Sequence, residues 1–176
     1  GTLYLYFETR EQLLLALLEE QLAAWFDAVD AGLAGEGAWD GARAGALLCA
    51  ALEQRPLLVQ LLPIAASILE QNLPPAAARS YKQFLLERSA RSAALLERRL
   101  AFLAPGDGLW LLLQVYALIV GIGQLADPAP VVRDILAEEA MAPLRVAFAP
   151  AFARAIATLL RGLERGDDDE SNDTSR

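Results

Sequence analysis

The sequence predicts an all-α protein, and three observations carry that prediction. Its 176 residues are 55% hydrophobic and 22% charged, enough for one domain with a sizeable core. The apolar excess is leucine and alanine rather than the β-branched residues that favour strands. Apolar positions also recur at steps of three and four over long stretches, the spacing of a single helix face. The expected architecture is a multi-helix body of kinked and antiparallel helices over residues 9–165. Residues 1–8 stand before it as a separate segment, and 166–176 follow as a disordered acidic tail.

The elements follow in order. Thr9-Arg10-Glu11-Gln12 reads as a capping box, in which the Thr hydroxyl and the Gln side chain satisfy each other's free backbone N–H groups. A helix then runs to about Leu33, with Leu18, Leu22, Trp25, Val29 and Leu33 as its buried stripe and Glu19, Asp27 and Asp30 on a solvated face. Gly32, Gly35 and Gly37 end it. A second helix spans Trp39-Asp40 to Gln54, closed by Arg55-Pro56, because the residue before proline avoids the α region. Proline suits a first helical turn, so Pro56 opens a third helix to Asn72, which Pro63 kinks. Pro74-Pro75 opens the longest helix, to about Leu103, with Glu87 and Arg91 as an i,i+4 pair on its outside. Asp107 is the expected N-cap of the next, to Ala126. A short amphipathic helix over Pro130–Ala140 and a last helix from Pro143 to Leu163, bent at Pro150, complete the body.

Charge and composition exclude several functions. The net charge is −8, but residues 167–173 supply five of the acids, and up to Gly166 the count is 14 basic against 18 acidic. Such a body does not bind nucleic acid through its bulk field. There is no histidine and one cysteine, Cys49. That removes the commonest general base and metal ligand and any intrachain disulfide, and it fits a reducing cytoplasm. The run Leu109–Ala126 approaches membrane-spanning length, yet it carries Gln114, Gln124 and two glycines between Asp107 and Asp127. A helix buried on all sides has the same composition, and that is the reading adopted. The chain starts without methionine, and it reads as a fragment of a longer protein.

Residues 1–13, GTLYLYFETREQL, resemble the junction in TetR-type transcriptional regulators. In that family a helix-turn-helix ends in a recognition helix of this aromatic spacing, and a polar turn leads into the long helix that joins the DNA reader to the ligand domain. The resemblance implies that Thr2 lies near base or phosphate, that Tyr4 and Tyr6 touch the backbone or groove wall, that Arg10 holds a phosphate, and that Phe7 packs inside the reader. The rest of the chain matches in layout alone. The first two reader helices lie outside this sequence. The fragment is therefore expected not to bind DNA specifically, while its parent does, because so short a remnant does not fold alone.

The resemblance further implies an effector-binding and dimerising domain, cytoplasmic, without cofactor, metal or catalysis. Gln60, Ser67, Gln114 and Tyr116 are polar groups in apolar helices, and Trp25, Tyr81, Phe84 and Trp110 can supply walls. As a set they suggest a pocket for an uncharged, largely apolar effector. Homodimerisation is expected through Asp107–Ala126 and Pro143–Leu163, with Ile119, Ile122, Gly123, Phe148, Phe152, Ala155 and Leu159 at the interface. Repression relieved by ligand is the family's common mode, through a population shift. Arginine far outnumbers lysine, of which Lys82 is the one example, as in bacterial genomes rich in G and C. The alternative is a helical small-molecule binding or carrier module with no DNA role.

Other motifs read as structure. Cys49 sits on an apolar face, Asp167–Glu170 is a solvated charge run, and Gly121-x-Gly123 follows no strand, so it permits close helix approach. Arg88, Arg91, Arg98 and Arg99 form a solvated basic face paired with Glu87 and Glu97. A metal-dependent helical enzyme is the remotest reading.

Overall fold

A computed structural model describes residues 10–65 and 72–173, with side chains to Gly166. Among the described residues there are seven α-helices, one 3-10 helix and no strand: α1 (Arg10–Ala34), α2 (Gly41–Glu53), α3 (Pro56–Ile64), α4 (Pro75–Arg99), α5 (Asp107–Ala126), α6 (Pro130–Leu136), the 3-10 helix Glu139–Leu144 and α7 (Phe148–Asp173). Helix α1 packs on α2, α3 and α4, while α5 touches α3, α4 and α7, and α7 also covers α2. By length and hydropathy α5, and the stretch Glu139–Gly166, would suffice to cross a membrane. In the fold α5 is instead the helix on which three others meet.

The stripe expected on α1 is the core: Leu18, Leu22, Trp25, Val29 and Leu33 are all buried. Helix α2 starts where Asp40 accepts a hydrogen bond from the Arg43 N–H at 2.7 Å, satisfying one of the free donors of the first turn. Thr9 of the expected capping box lies outside the described residues, as does the remnant 1–8.

The face given to Asp30 is corrected. It is 6% exposed, accepting from the Ser92 hydroxyl at 2.5 Å while its second oxygen lies 2.9 Å from Arg91 Nε. Glu19 is half-buried, and that burial pushes its carboxyl above the ordinary range. The basic face of α4 is spent on α1 rather than on Glu87: Arg88 pairs with Asp27, Arg91 with Asp30, and Arg99 donates to the Leu33 and Ala34 carbonyls at the end of α1. Those carbonyls have no partner within their own helix, so α4 caps α1 as well as packing on it.

Several boundaries differ from expectation. Helix α4 stops at Arg99, because extended backbone at Leu100 (φ −108°, ψ 100°) turns Leu100 and Leu103 into the core. Asp107 does not cap α5. Gly106, in the left-handed region at φ 101°, precedes the helix, Asp107 accepts from the Ala104 N–H, and Glu97 accepts from the N–H groups of Gly106 and Gly108 at 3.0 Å each. A carboxylate at the positive end of the helix dipole is favourable. Helix α6 ends at Leu136 with no buried residue, so it is not amphipathic against the body. The Arg145 guanidinium binds the carbonyls of Leu136, Ala137 and Glu138, which holds Pro143 in the 3-10 helix and delays α7 to Phe148.

Pro150 then falls in the first turn of α7, where its missing N–H had no helical partner to lose; it bends nothing there. At the other end α7 continues past its last apolar residue, Leu163, to Asp173. Each residue added to an existing helix gains a hydrogen bond without a new nucleus.

Candidate functional site

A cavity of about 500 Å³ opens between α1, α3, α4 and α5, within the usual size of small-molecule sites. Each wall is the inner stripe of one helix. Helix α1 contributes Leu22, Trp25 and Phe26, and α3 contributes Leu58 and Leu62 one turn apart. Helix α4 presents Tyr81, Lys82, Leu85, Leu86 and Ser89, and α5 presents Leu109, Leu112, Leu113, Val115, Tyr116 and Ile119. Leu86, Leu109 and Leu113 are 61%, 43% and 53% exposed, so they form an apolar rim to solvent rather than a sealed core.

The polar groups are few. Trp25 Nε1 is buried with no hydrogen-bond partner among the described residues, and its ring meets Phe26 edge-on with centroids 5.0 Å apart. An unpaired buried donor costs free energy on the order of 1–3 kcal/mol. Lys82 Nζ stands 5.5 Å from the centre of the Tyr81 ring and is the one charged group in the lining among the described residues.

Of the residues expected in a pocket, the fold brings together Trp25, Tyr81 and Tyr116. It separates the others. Gln60 faces a different recess on the far side of α3. Gln114 lies in a shallow groove between α5 and α7. Trp110 is 55% exposed, Phe84 is half-buried and packs against the core without lining the cavity, and Ser67 lies outside the described residues. Sequence reasoning missed the leucine walls, which look like any core leucine. It also missed Ser89, although Tyr81, Leu85 and Ser89 at steps of four mark a stripe interrupted by a hydroxyl.

The expected interface residues divide as well. Ile119, Gly123 and Phe152 face inward: Ile119 is 3% exposed and lines the cavity, Phe152 is 1% exposed, and a Cβ on Gly123 would lie 3.2 Å from Pro63 Cγ. An all-apolar helix carries no polar face to tell inside from outside. Ile122 is part-buried and packs on the core, and Phe148 stacks on Phe152 at 5.5 Å. Ala155 and Leu159 do reach the outer groove, beside Gln114, Leu118, Ala151, Arg154 and Thr158. Gly121 and Gly162 face open space, with nothing within 4 Å of an added Cβ.

At the chain's start Arg10 is exposed as the first residue of α1, and Thr2, Tyr4 and Tyr6 lie outside the described residues. Among the described residues no group of three or more Cys, Asp or Glu is placed to hold a metal. In comparison with known proteins, a family model described as tetracyclin repressor-like, C-terminal domain, matches residues 19–166. No curated protein matches the chain.

Proposed function

The chain belongs to the tetracycline repressor-like C-terminal domain family, and on that footing we propose that it is the sensing and dimerising part of a cytoplasmic, DNA-binding transcriptional regulator that acts by binding and not by catalysis. One observation supports this above the rest. The apolar cavity is built partly from α1, through Leu22, Trp25 and Phe26, and α1 is the helix that follows the reader remnant in sequence. From Arg10 to Leu22 a helix rises about 18 Å, so a ligand that moves the middle of α1 displaces its start. The effector is small and largely apolar, a reading that the leucine walls support. Trp25 Nε1 would be answered by an acceptor on that ligand once the indole turns toward the lumen.

A dimer gives that movement its meaning, because two readers must match two half-sites. The outer groove of α5 and α7 has the small residues Ala151 and Ala155 in its lining, and Gly121 and Gly162 on the same two helices face open space, which suits close packing of two copies into a four-helix bundle.

In the protein that carries this chain behind a complete helix-turn-helix, a mobility shift at modest salt should show sequence-specific binding. An effector should weaken it about 5- to 150-fold, the usual range of coupling between sites. A protein that selects no DNA sequence, or binds it equally with and without bound effector, would contradict the reading and leave a helical binding module in its place.

A further inference from the structure

Helix α3 has a second face. Leu58 and Leu62 line the apolar cavity, while Val59, Gln60, Pro63 and Ile64 line a separate recess of about 920 Å³ on the other side, closed by α2, the end of α5 and the start of α7. The two cavities share no lining residue. Pro63 cannot donate to the Val59 carbonyl as a helical residue would, and Gly123 of α5 lets that part of α3 approach closely, since an added Cβ there would lie 3.2 Å from Pro63 Cγ.

Its lining charge is opposite in sign to the first cavity's. The floor is apolar: Leu52 and Phe152 are buried, Phe148 is half-buried, and the two phenyl rings stack at 9° to one another. The rim is polar and exposed, with Glu53, Gln60, Gln124 and Asp127 and, among the described residues, no lysine or arginine. The nearby guanidinium groups already have partners, and one of them neutralises Asp127 at the rim. Arg133 holds Asp127 at 2.8 Å and the Pro128 carbonyl, and Arg55 donates to the Ala51 carbonyl. Glu53 therefore sets the sign of the recess. Its field is felt at the half-buried Cys49, whose thiol is pushed up by burial first and by Glu53 second.

We propose that this recess is a second ligand site, for a small amphiphilic cation: an ammonium group at Glu53 and the rim amides, and an apolar or aromatic body on Phe148 and Phe152. Charge-assisted contacts to a carboxylate are about twice as strong as neutral ones, and aromatic faces attract cations further. The site goes beyond the apolar effector cavity and does not depend on it.

Cys49 lines this recess and not the other, and it is the chain's one cysteine, so its alkylation reports occupancy. The experiment follows N-ethylmaleimide modification of the full chain by mass, together with the thermal midpoint, in 4-phenylbutylammonium, 5-phenylpentanol or 5-phenylpentanoate. The ammonium compound should slow alkylation about fivefold at saturation and raise the midpoint, and the alcohol and carboxylate should do clearly less. Glu53→Gln, at an exposed position, should keep its unliganded midpoint and lose most of both effects. Ser89→Phe, which obstructs the first cavity, should keep them. Equal protection by the carboxylate overturns the proposal. So does an ammonium compound that neither protects nor stabilises, an undiminished effect in Glu53→Gln, or its loss in Ser89→Phe.

Discussion

Gly121→Arg is expected to convert a dimer into a folded monomer. Gly121 lies on the outer face of α5, and an added Cβ there meets nothing within 4 Å. The single chain therefore accepts the larger side chain without repacking. Inside an exposed helix the change even gains up to about 1 kcal/mol of helix propensity over glycine. A two-fold bundle of α5 and α7 has no such room. Each copy would bring a long cationic side chain against a close helix crossing, near the partner's own arginine. Steric overlap and like charge together cost several kcal/mol, so dimer affinity should fall roughly a hundredfold or more. Light scattering after size exclusion should give about 19.0 kDa for the variant and twice that for the parent, with matching helical circular dichroism. A variant that stays dimeric would place the interface elsewhere.

Gly108→Ala should cost the protein stability rather than assembly. A Cβ at Gly108 would sit 2.5 Å from the Ala93 carbonyl oxygen and 2.9 Å from Glu97 Oε1. The first of these is backbone, so α4 and α5 must move apart. That separation also loosens Glu97 from the two N–H groups that it accepts. Overpacking of this kind costs about 1–3 kcal/mol, against which alanine recovers less than about 1 kcal/mol of propensity. We expect a net loss near 2 kcal/mol, read as a thermal midpoint about 4–8 °C lower for a chain of this size. A midpoint that holds or rises would mean that this crossing is looser than described.

Much of the fold was legible because local signals and burial agreed. The α1 stripe, the start of α2 near Asp40 and the proline starts of α3 and α4 all arise from spacing or from backbone chemistry within a few residues. Asp30 was illegible because the groups that permit its burial, Ser92 and Arg91, lie some sixty residues away. Pro143 and Pro150 misled for a related reason. Both signal a helix start, and what decides between them is the Arg145 guanidinium on three distant-turn carbonyls.

The candidate cavity was half legible. Aromatic and polar residues in apolar helices pointed to Trp25, Tyr81 and Tyr116. The same rule grouped Gln60 and Gln114 with them, whereas the fold sets those two on other recesses, since helix phase alone does not say which neighbour a face will meet. The outward groove of α5 and α7 was hidden in the same way: leucine, isoleucine and alanine look alike whether they meet their own chain or a second copy.

The central claim is that the cavity between α1, α3, α4 and α5 holds an apolar effector. Calorimetric titration of apolar hits from a compound panel, on the parent chain and on Ser89→Phe, tests it most directly. Ser89 is half-buried on the cavity wall, so a phenyl group there takes up the ligand's space. The account predicts one ligand per protomer, with the negative heat-capacity change of apolar burial, and binding weakened at least about tenfold in Ser89→Phe while its helical signal stays intact. Undiminished binding by Ser89→Phe, or a panel in which no apolar compound binds the parent, would contradict it.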